Sequence, residues 1–194
     1  MTFSDYDCSA AAPADRQMHA VQHSKARMHM DRVARGVGVA LAKCLRQAME
    51  QGRMTTGIWH SARVLQRRPE RVLVCILPTV RDVNDHALHI HHTLITAFCW
   101  EHGIRLLKVE QDTLHDAMMK LWLSHHDNEN SALPSQTPSP SPSASPPAEE
   151  LDVRCVLIET SLNGLSFEDE VVLDFHDEVM VGSCYPKPVL KLPG

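Results

Sequence analysis

Apolar residues recur along this chain at two alternating periods, and the switches between them outline its elements. Over residues 25–51, Val33, Val37, Leu41, Cys44 and Ala48 return at steps of three and four, which predicts a long amphipathic helix closed by Gly52 and weakened in the middle by Gly36 and Gly38. A brief extended stretch, Met54–Thr56, leads into a short helix over 58–66 that Pro69 stops. The compact run 71–77, apolar from Val72 onward and ended by Pro78, predicts a strand central in a sheet. Asn84 or Asp85 can cap a helix running to His102 and ended by Gly103, with a strand at once over 104–109. Asp112 caps a further helix ending near Leu123. A strand over 153–158, an acidic helix over 167–180 and an extended piece over 187–192, broken by Pro186 and Pro188, complete the series. Helices and strands in alternation imply an α/β/α sandwich around a mostly buried sheet.

Two stretches lack any such period. Residues 1–22 mix Ala, Pro, Asp and Gln and are expected to form a disordered N-terminal arm. Residues 124–150 are rich in Pro and Ser, with almost nothing to bury, and strand-like sequence resumes beyond them. They are expected as a disordered insertion inside one domain spanning 23–194. A length of 194 residues suits one domain with tails.

Charge adds an asymmetry that the hydropathy pattern does not contain. The net charge of −5 excludes a generally polycationic nucleic-acid coat, yet residues 16–71 hold 12 basic and 3 acidic side chains while residues 72–194 hold 7 and 18. Such a division favours charged partners or contact between copies, and it equally fits a solvated basic helix face. The longest apolar run, 72–77, is far too short to cross a bilayer, and the acidic opening MTFSDYDCSA has no apolar signal core. A soluble, non-secreted protein is expected. Six cysteines (Cys8, Cys44, Cys75, Cys99, Cys155 and Cys184) contain no C-x-x-C pair, so reduced, mostly buried thiols are expected rather than a zinc knuckle or disulfide lattice.

The helix after Asp85 carries more apolar surface than one sheet contact needs. On a helical wheel Ala87, Leu88, Ile90, Leu94, Ile95, Ala97, Phe98 and Cys99 cover roughly 200°. Either neighbouring helices cover the surplus, or a strip of Leu88, Ile95 and Cys99, with His91 beside it, packs against a second copy. The opposite face carries His86, His89 and His92 at three-residue steps. Helical histidines need further converging ligands to hold a metal, so ordinary exposed imidazoles are the preferred reading. Trp100 falls on the same polar side, where an exposed aromatic suits a partner anchor or a place under a loop.

Catalytic patterns are missing. No P-loop, H-E-x-x-H, G-x-S-x-G or kinase signature occurs, and Gly36-Val37-Gly38 lies inside a helix rather than after a strand, so it is no dinucleotide fingerprint. The acids Glu168, Asp169, Glu170, Asp174, Asp177 and Glu178 read as a solvated helix face, since Val, Leu and Phe alternate with them at core spacing.

Residues 87–101 read A-L-H-I-H-H-T-L-I-T-A-F-C-W-E, which resembles the third-helix signature A-L-x-I-H-x-T-L-I-x-A-F-C-x-E of the growth arrest and DNA-damage-inducible stress proteins. Flanking blocks fall in the same order: the helix over 39–51 followed by T-G-I-W-H-S-A-R-V-L from Thr56, the strand over 72–77, D-V-R-C-V-L-I from Asp152, and L-K-L-P from Leu190. The resemblance covers about residues 30–123 and 151–194. It implies the fold of the ribosomal proteins that bind kink-turn RNA, a three-layer α/β/α sandwich with a central mixed sheet. The RNA-binding pattern of that fold, G-A-N-E-x-x-K, is Gly57-Ile58-Trp59-His60-x-x-Arg63 here, so only the glycine and one cation match, and nucleic-acid binding is the alternative reading.

What the resemblance implies is a non-enzymatic adaptor in nucleus and cytoplasm, without cofactor or metal. It would self-associate and bind the autoinhibitory part of a MAP kinase kinase kinase. Further partners it implies are a cyclin-dependent kinase with its cyclin, the replication sliding clamp and a cyclin-dependent kinase inhibitor. Asp82 and Asp85, in a loop less acidic than in the relatives, together with Trp100 and Glu168, Asp169 and Glu170, are the candidate partner-binding residues. Thr137, Ser139, Ser141 and Ser145 each precede proline and are candidate sites for a proline-directed kinase.

Overall fold

Strand β2 (Val72–Pro78) is buried at every position, the pattern of a strand covered on both faces. The computed structural model describes residues 13–82, 84–130, 151–180 and 187–193. Around β2 lie α1 (Pro13–Glu50), β1 (Met54–Thr56), α2 (Ile58–Arg67), α3 (His86–Glu101), β3 (Arg105–Val109), α4 (Gln111–Asn130), β4 (Val156–Glu159) and α5 (Phe167–Phe175). The contacts divide the chain into two units, Met1–Val33 and Ala34–Gly194; the sheet and α2 to α5 belong to the second.

The four strands form one mixed sheet in the order β1-β4-β2-β3. Strands β2 and β3 run parallel with Cys75 opposite Leu106, as the intervening α3 crossover requires, and β4 runs antiparallel to β2 with Cys75 opposite Leu157. Beyond β3, Leu190 pairs with Val109, so the 187–193 piece continues the sheet by a single bridge. Cys75, Leu77, Leu106, Cys155 and Leu157 share one core with Leu65 of α2 and Ile95 and Cys99 of α3. Strand alternation turns Val74, Ile76, Leu107 and Ile158 to the other face, where the buried Leu41, Leu45 and Ala48 of α1 and Leu114 and Met118 of α4 are available to cover them. The result is the α/β sandwich expected. Cys44, Cys75, Cys99 and Cys155 are buried thiols without disulfides, also as expected; Cys8 and Cys184 lie outside the described residues.

Several boundaries differ from the sequence reading. Helix α1 begins at Pro13, so residues 13–22, expected in a disordered arm, are helical: proline suits the first turn, and nothing from Ala14 to Arg35 breaks a helix. Helix α4 continues through Ser124 to Asn130, seven residues into the expected insertion. The remainder of that insertion, 131–150, lies outside the described residues. Residues 153–155 precede β4 rather than belonging to it, and α5 stops at Phe175, followed by a π turn over His176–Met180.

The two central glycines of α1 have different surroundings. A Cβ on Gly36 would meet nothing, whereas one on Gly38 would collide with the carbonyl oxygen of Lys191. The 187–193 piece therefore lies directly on the helix backbone, and Gly38 is the absence that lets it do so. Hydrogen bonds hold the piece in place: Leu190 N–H to the Lys108 carbonyl at 2.9 Å, Glu110 N–H to the Leu190 carbonyl at 2.8 Å, and Leu192 N–H to Thr113 Oγ1 at 3.3 Å.

Candidate functional site

Helix α3 starts where Asp85 accepts the Leu88 N–H at 2.9 Å, while Asp82 accepts the Asn84 N–H in the preceding turn. It ends at Gly103, whose φ of 65° is the left-handed stop that glycine adopts without strain. Between these caps the sheet takes one end of the apolar arc. Ile95 is 6% exposed and Cys99 fully buried, His92 one turn before Ile95 is buried as well, and Leu88 and Phe98 are half-buried. The other end of the arc stays outside: Ile90 is 59% exposed and Leu94 63%, flanked along the same stripe by exposed Ala87 and Ala97.

This corrects the sequence reading of the interface. Ile95 and Cys99 are core residues packed against Cys75, Leu77 and Leu106, so they cannot meet a second chain; Leu88 is half-covered, and only His91 of that strip is exposed. An arc of roughly 200° contains two separate apolar stripes, and the sequence pattern alone did not say which of them the strands would take. The outward stripe is Ala87, Ile90, Leu94 and Ala97.

The histidine row is corrected too. His86, His89 and His91 are exposed, but His92 is buried, with Nε2 2.8 Å from the carbonyl oxygen of Arg154. A carbonyl only accepts, so Nε2 carries the proton and Nδ1 is a buried acceptor without a partner among the described residues. Burial pulls the His92 pKa below that of an ordinary imidazole, only partly offset by the Arg154 carbonyl. Among the described residues no group of His, Cys, Asp or Glu is placed to hold a metal ion. Trp100 is 82% exposed and borders a groove of about 610 Å³ between α3 and the end of β3, with His92 and Thr93 on one side and half-buried Lys108 on the other. Burial lowers the Lys108 pKa.

The acidic helix separates its three candidates. Glu170 is exposed. Glu168 is half-buried, 3.6 Å from the Lys43 ammonium and accepting a hydrogen bond from Gln47 at 3.2 Å. Asp169, expected as a partner-binding residue, is fully buried: it accepts the Cys44 thiol at 2.8 Å and faces Arg53 Nη2 at 3.3 Å. With Ser166 it also closes a reciprocal capping box at the start of α5. Burial acts to raise the Asp169 pKa, but the Cys44 thiol, Ser166 and the Arg53 guanidinium together hold it below the usual carboxylate range. Its role is internal. The spacing Ser166-x-x-Asp169 carried that signal in the sequence.

Helix α2 opens at Gly57, whose φ of 85° and whose contact with Asp152 leave no comfortable room for a Cβ. Trp59, His60 and Arg63 stand exposed on its outer side, and Ser61 and Leu65 turn inward. Thr137, Ser139, Ser141 and Ser145 lie outside the described residues.

No family model matches the chain. Growth arrest and DNA damage-inducible protein GADD45 gamma from Homo sapiens is 41% identical over 95 residues, which are 48% of this chain and 56% of that protein. GADD45 alpha from Mus musculus is 33% identical over 123 residues, 63% of this chain and 66% of the relative, and human GADD45 alpha is 42% identical over 74 residues, 38% of this chain and 45% of the relative. The chain thus spans between about half and two thirds of the length of the curated relatives it matches. With a mixed sheet between helices and an α3 carrying the third-helix signature, the chain belongs to the growth arrest and DNA damage-inducible protein family, as a divergent member.

Proposed function

We propose that this chain is a non-enzymatic adaptor of stress signalling that self-associates through the outer stripe of α3 and activates a MAP kinase kinase kinase, with consequences for growth arrest, the cell cycle and apoptosis. The observation that carries this reading is the exposed apolar stripe of Ile90 and Leu94 on a helix whose other side is sealed into the core. Water-exposed aliphatic side chains at helical spacing favour a protein surface as their cover. An adaptor that binds the open form of an autoinhibited kinase better than the closed form shifts that equilibrium by the difference in affinity, and a dimer brings two kinases within reach of trans-phosphorylation. Such a role needs no reaction centre and would operate in nucleus and cytoplasm.

Sedimentation of the full chain, wild type beside Ile90→Glu/Leu94→Glu, combined with a pull-down of a MAP kinase kinase kinase regulatory segment, tests both halves. A concentration-dependent dimer that the double variant abolishes, with weaker kinase capture, is the expected result. A wild-type monomer at all concentrations that retains no kinase segment overturns it. The rival reading, an RNA binder on the same fold, has the exposed cations of α2 behind it; tight retention of a kink-turn RNA at physiological salt would favour it.

A further inference from the structure

Most arginines near the sheet have carboxylate partners. Arg53 faces Asp169, Arg71 faces Glu159, Arg105 forms a two-point pair with Asp177 at 3.0 and 2.8 Å, and Arg154 does the same with Asp152. Arg63, Arg67 and Arg68 differ. All three are exposed, none has a carboxylate partner among the described residues, and together with His60 they line one groove of about 370 Å³. His60, Arg63 and Arg67 follow at steps of three and four, which puts them on one side of α2, and Arg68 is the residue at its C-cap. The helix dipole accounts for cations in the last turn, Arg67 and Arg68, but not for Arg63 and His60 further back.

The opposite wall of this groove is β1. Met54, Thr55 and Thr56 all line it, although their side chains alternate between the two faces of the sheet. Three consecutive strand residues border one groove only when it runs along the strand's edge. Strand β1 is the outermost in the order β1-β4-β2-β3 and is paired on one side, with β4. The groove therefore combines a sheet edge open to a further strand with three guanidinium forks held beside it.

We propose that this groove docks a phosphorylated peptide, its backbone added to the edge of β1 and its phosphate held by Arg63, Arg67 and Arg68. A phosphate monoester offers a compact dianion with several acceptor oxygens, which suits clustered guanidinium forks, and the open strand edge suits a peptide backbone. A nucleic acid fits less well. A polyanion draws its affinity from many phosphate contacts along a track, whereas the cations that line this groove form one short cluster. No residue of α3 takes part, so this site stands or falls independently of the dimer and kinase reading.

The probes are two soluble peptide libraries with three random positions on either side of a fixed phosphothreonine or a fixed threonine, presented to the immobilised full chain at physiological salt. The expected result is retention of the phosphothreonine library at least about tenfold above its threonine twin. Arg63→Ala/Arg67→Ala, with circular dichroism unchanged because both side chains are exposed, brings the two libraries to parity. Arg63→Lys/Arg67→Lys keeps the charge but loses the fork geometry and retains only part of the preference. Equal retention of both libraries by the wild type overturns the proposal, as does a preference that survives the double alanine change. Inorganic phosphate competing as well as the bound peptides reduces the groove to an adventitious anion site and overturns peptide docking. Displacement of those peptides by lower concentrations of an RNA oligonucleotide assigns the surface to nucleic acid instead.

Discussion

Arg53 and Asp169 are nearly or fully withdrawn from water, and each is held by more than the other. Arg53 donates to Gln51 and to the Glu159 carbonyl, and Asp169 accepts from Cys44 and the Ser166 backbone. Removing one partner leaves the other charge buried and unmatched, so Asp169→Leu is expected to cost about 3–5 kcal/mol in urea unfolding, while Arg53→Met/Asp169→Leu recovers much of that loss. Because the Asp169 pKa is depressed, its contribution is present above the ordinary carboxylate range and disappears as pH falls through the folded value. His92 is also depressed but acts at higher pH. Its neutral form is the one the fold accepts, so stability is present above about pH 6.5, the ordinary imidazole value, and is lost as pH falls below it. Thermal unfolding of His92→Gln, compared with wild type between about pH 7 and 5, is expected to show a shallower decline. The capping half of Asp169's role was legible three residues from Ser166. Its ion pair was not, because Arg53 lies 116 residues away and only the packing of α5 against α1 brings the two together.

The elements themselves were legible wherever a period and a stop signal coincided. Glycines 52 and 103 and the caps at Asp85 and Ser166 bound helices as their chemistry requires. The start of α1 and the end of α4 were harder to read, because polar sequence made of good helix formers carries no apolar period to betray it. The middle of α1 shows what pattern alone leaves out. Two glycines two residues apart look alike in the sequence, yet only one lies against another backbone. Gly36→Ala is expected to stabilise the fold by about 0.5–1 kcal/mol, and Gly38→Ala to destabilise it by about 1–3 kcal/mol, as the Lys191 backbone is pushed off the helix. Chemical denaturation of the two single variants separates these outcomes.

At the scale of the whole molecule, α3 divides its apolar surface between the core and the outside, and adjacent residues fall on opposite sides of that division. Leu94→Glu is expected to leave folding stability within about 0.5 kcal/mol of wild type while weakening self-association. Ile95→Glu forces a carboxylate among Cys75, Leu77 and Leu106 and is expected to abolish the cooperative unfolding transition. Calorimetry beside sedimentation reads both. The resemblance along residues 87–101 identified the helix correctly, but which stripe faces outward depended on strands far away in sequence. A different kind of consequence follows from the 187–193 piece. Leu190 and Leu192 are buried and Lys191 rests on Gly38, so contacts near the two ends of the second unit close the same layer. During synthesis the long helix is made well before its covering strap, so the nascent chain must hold an uncovered apolar surface until translation has passed residue 192, a window in which chaperones have something to grip.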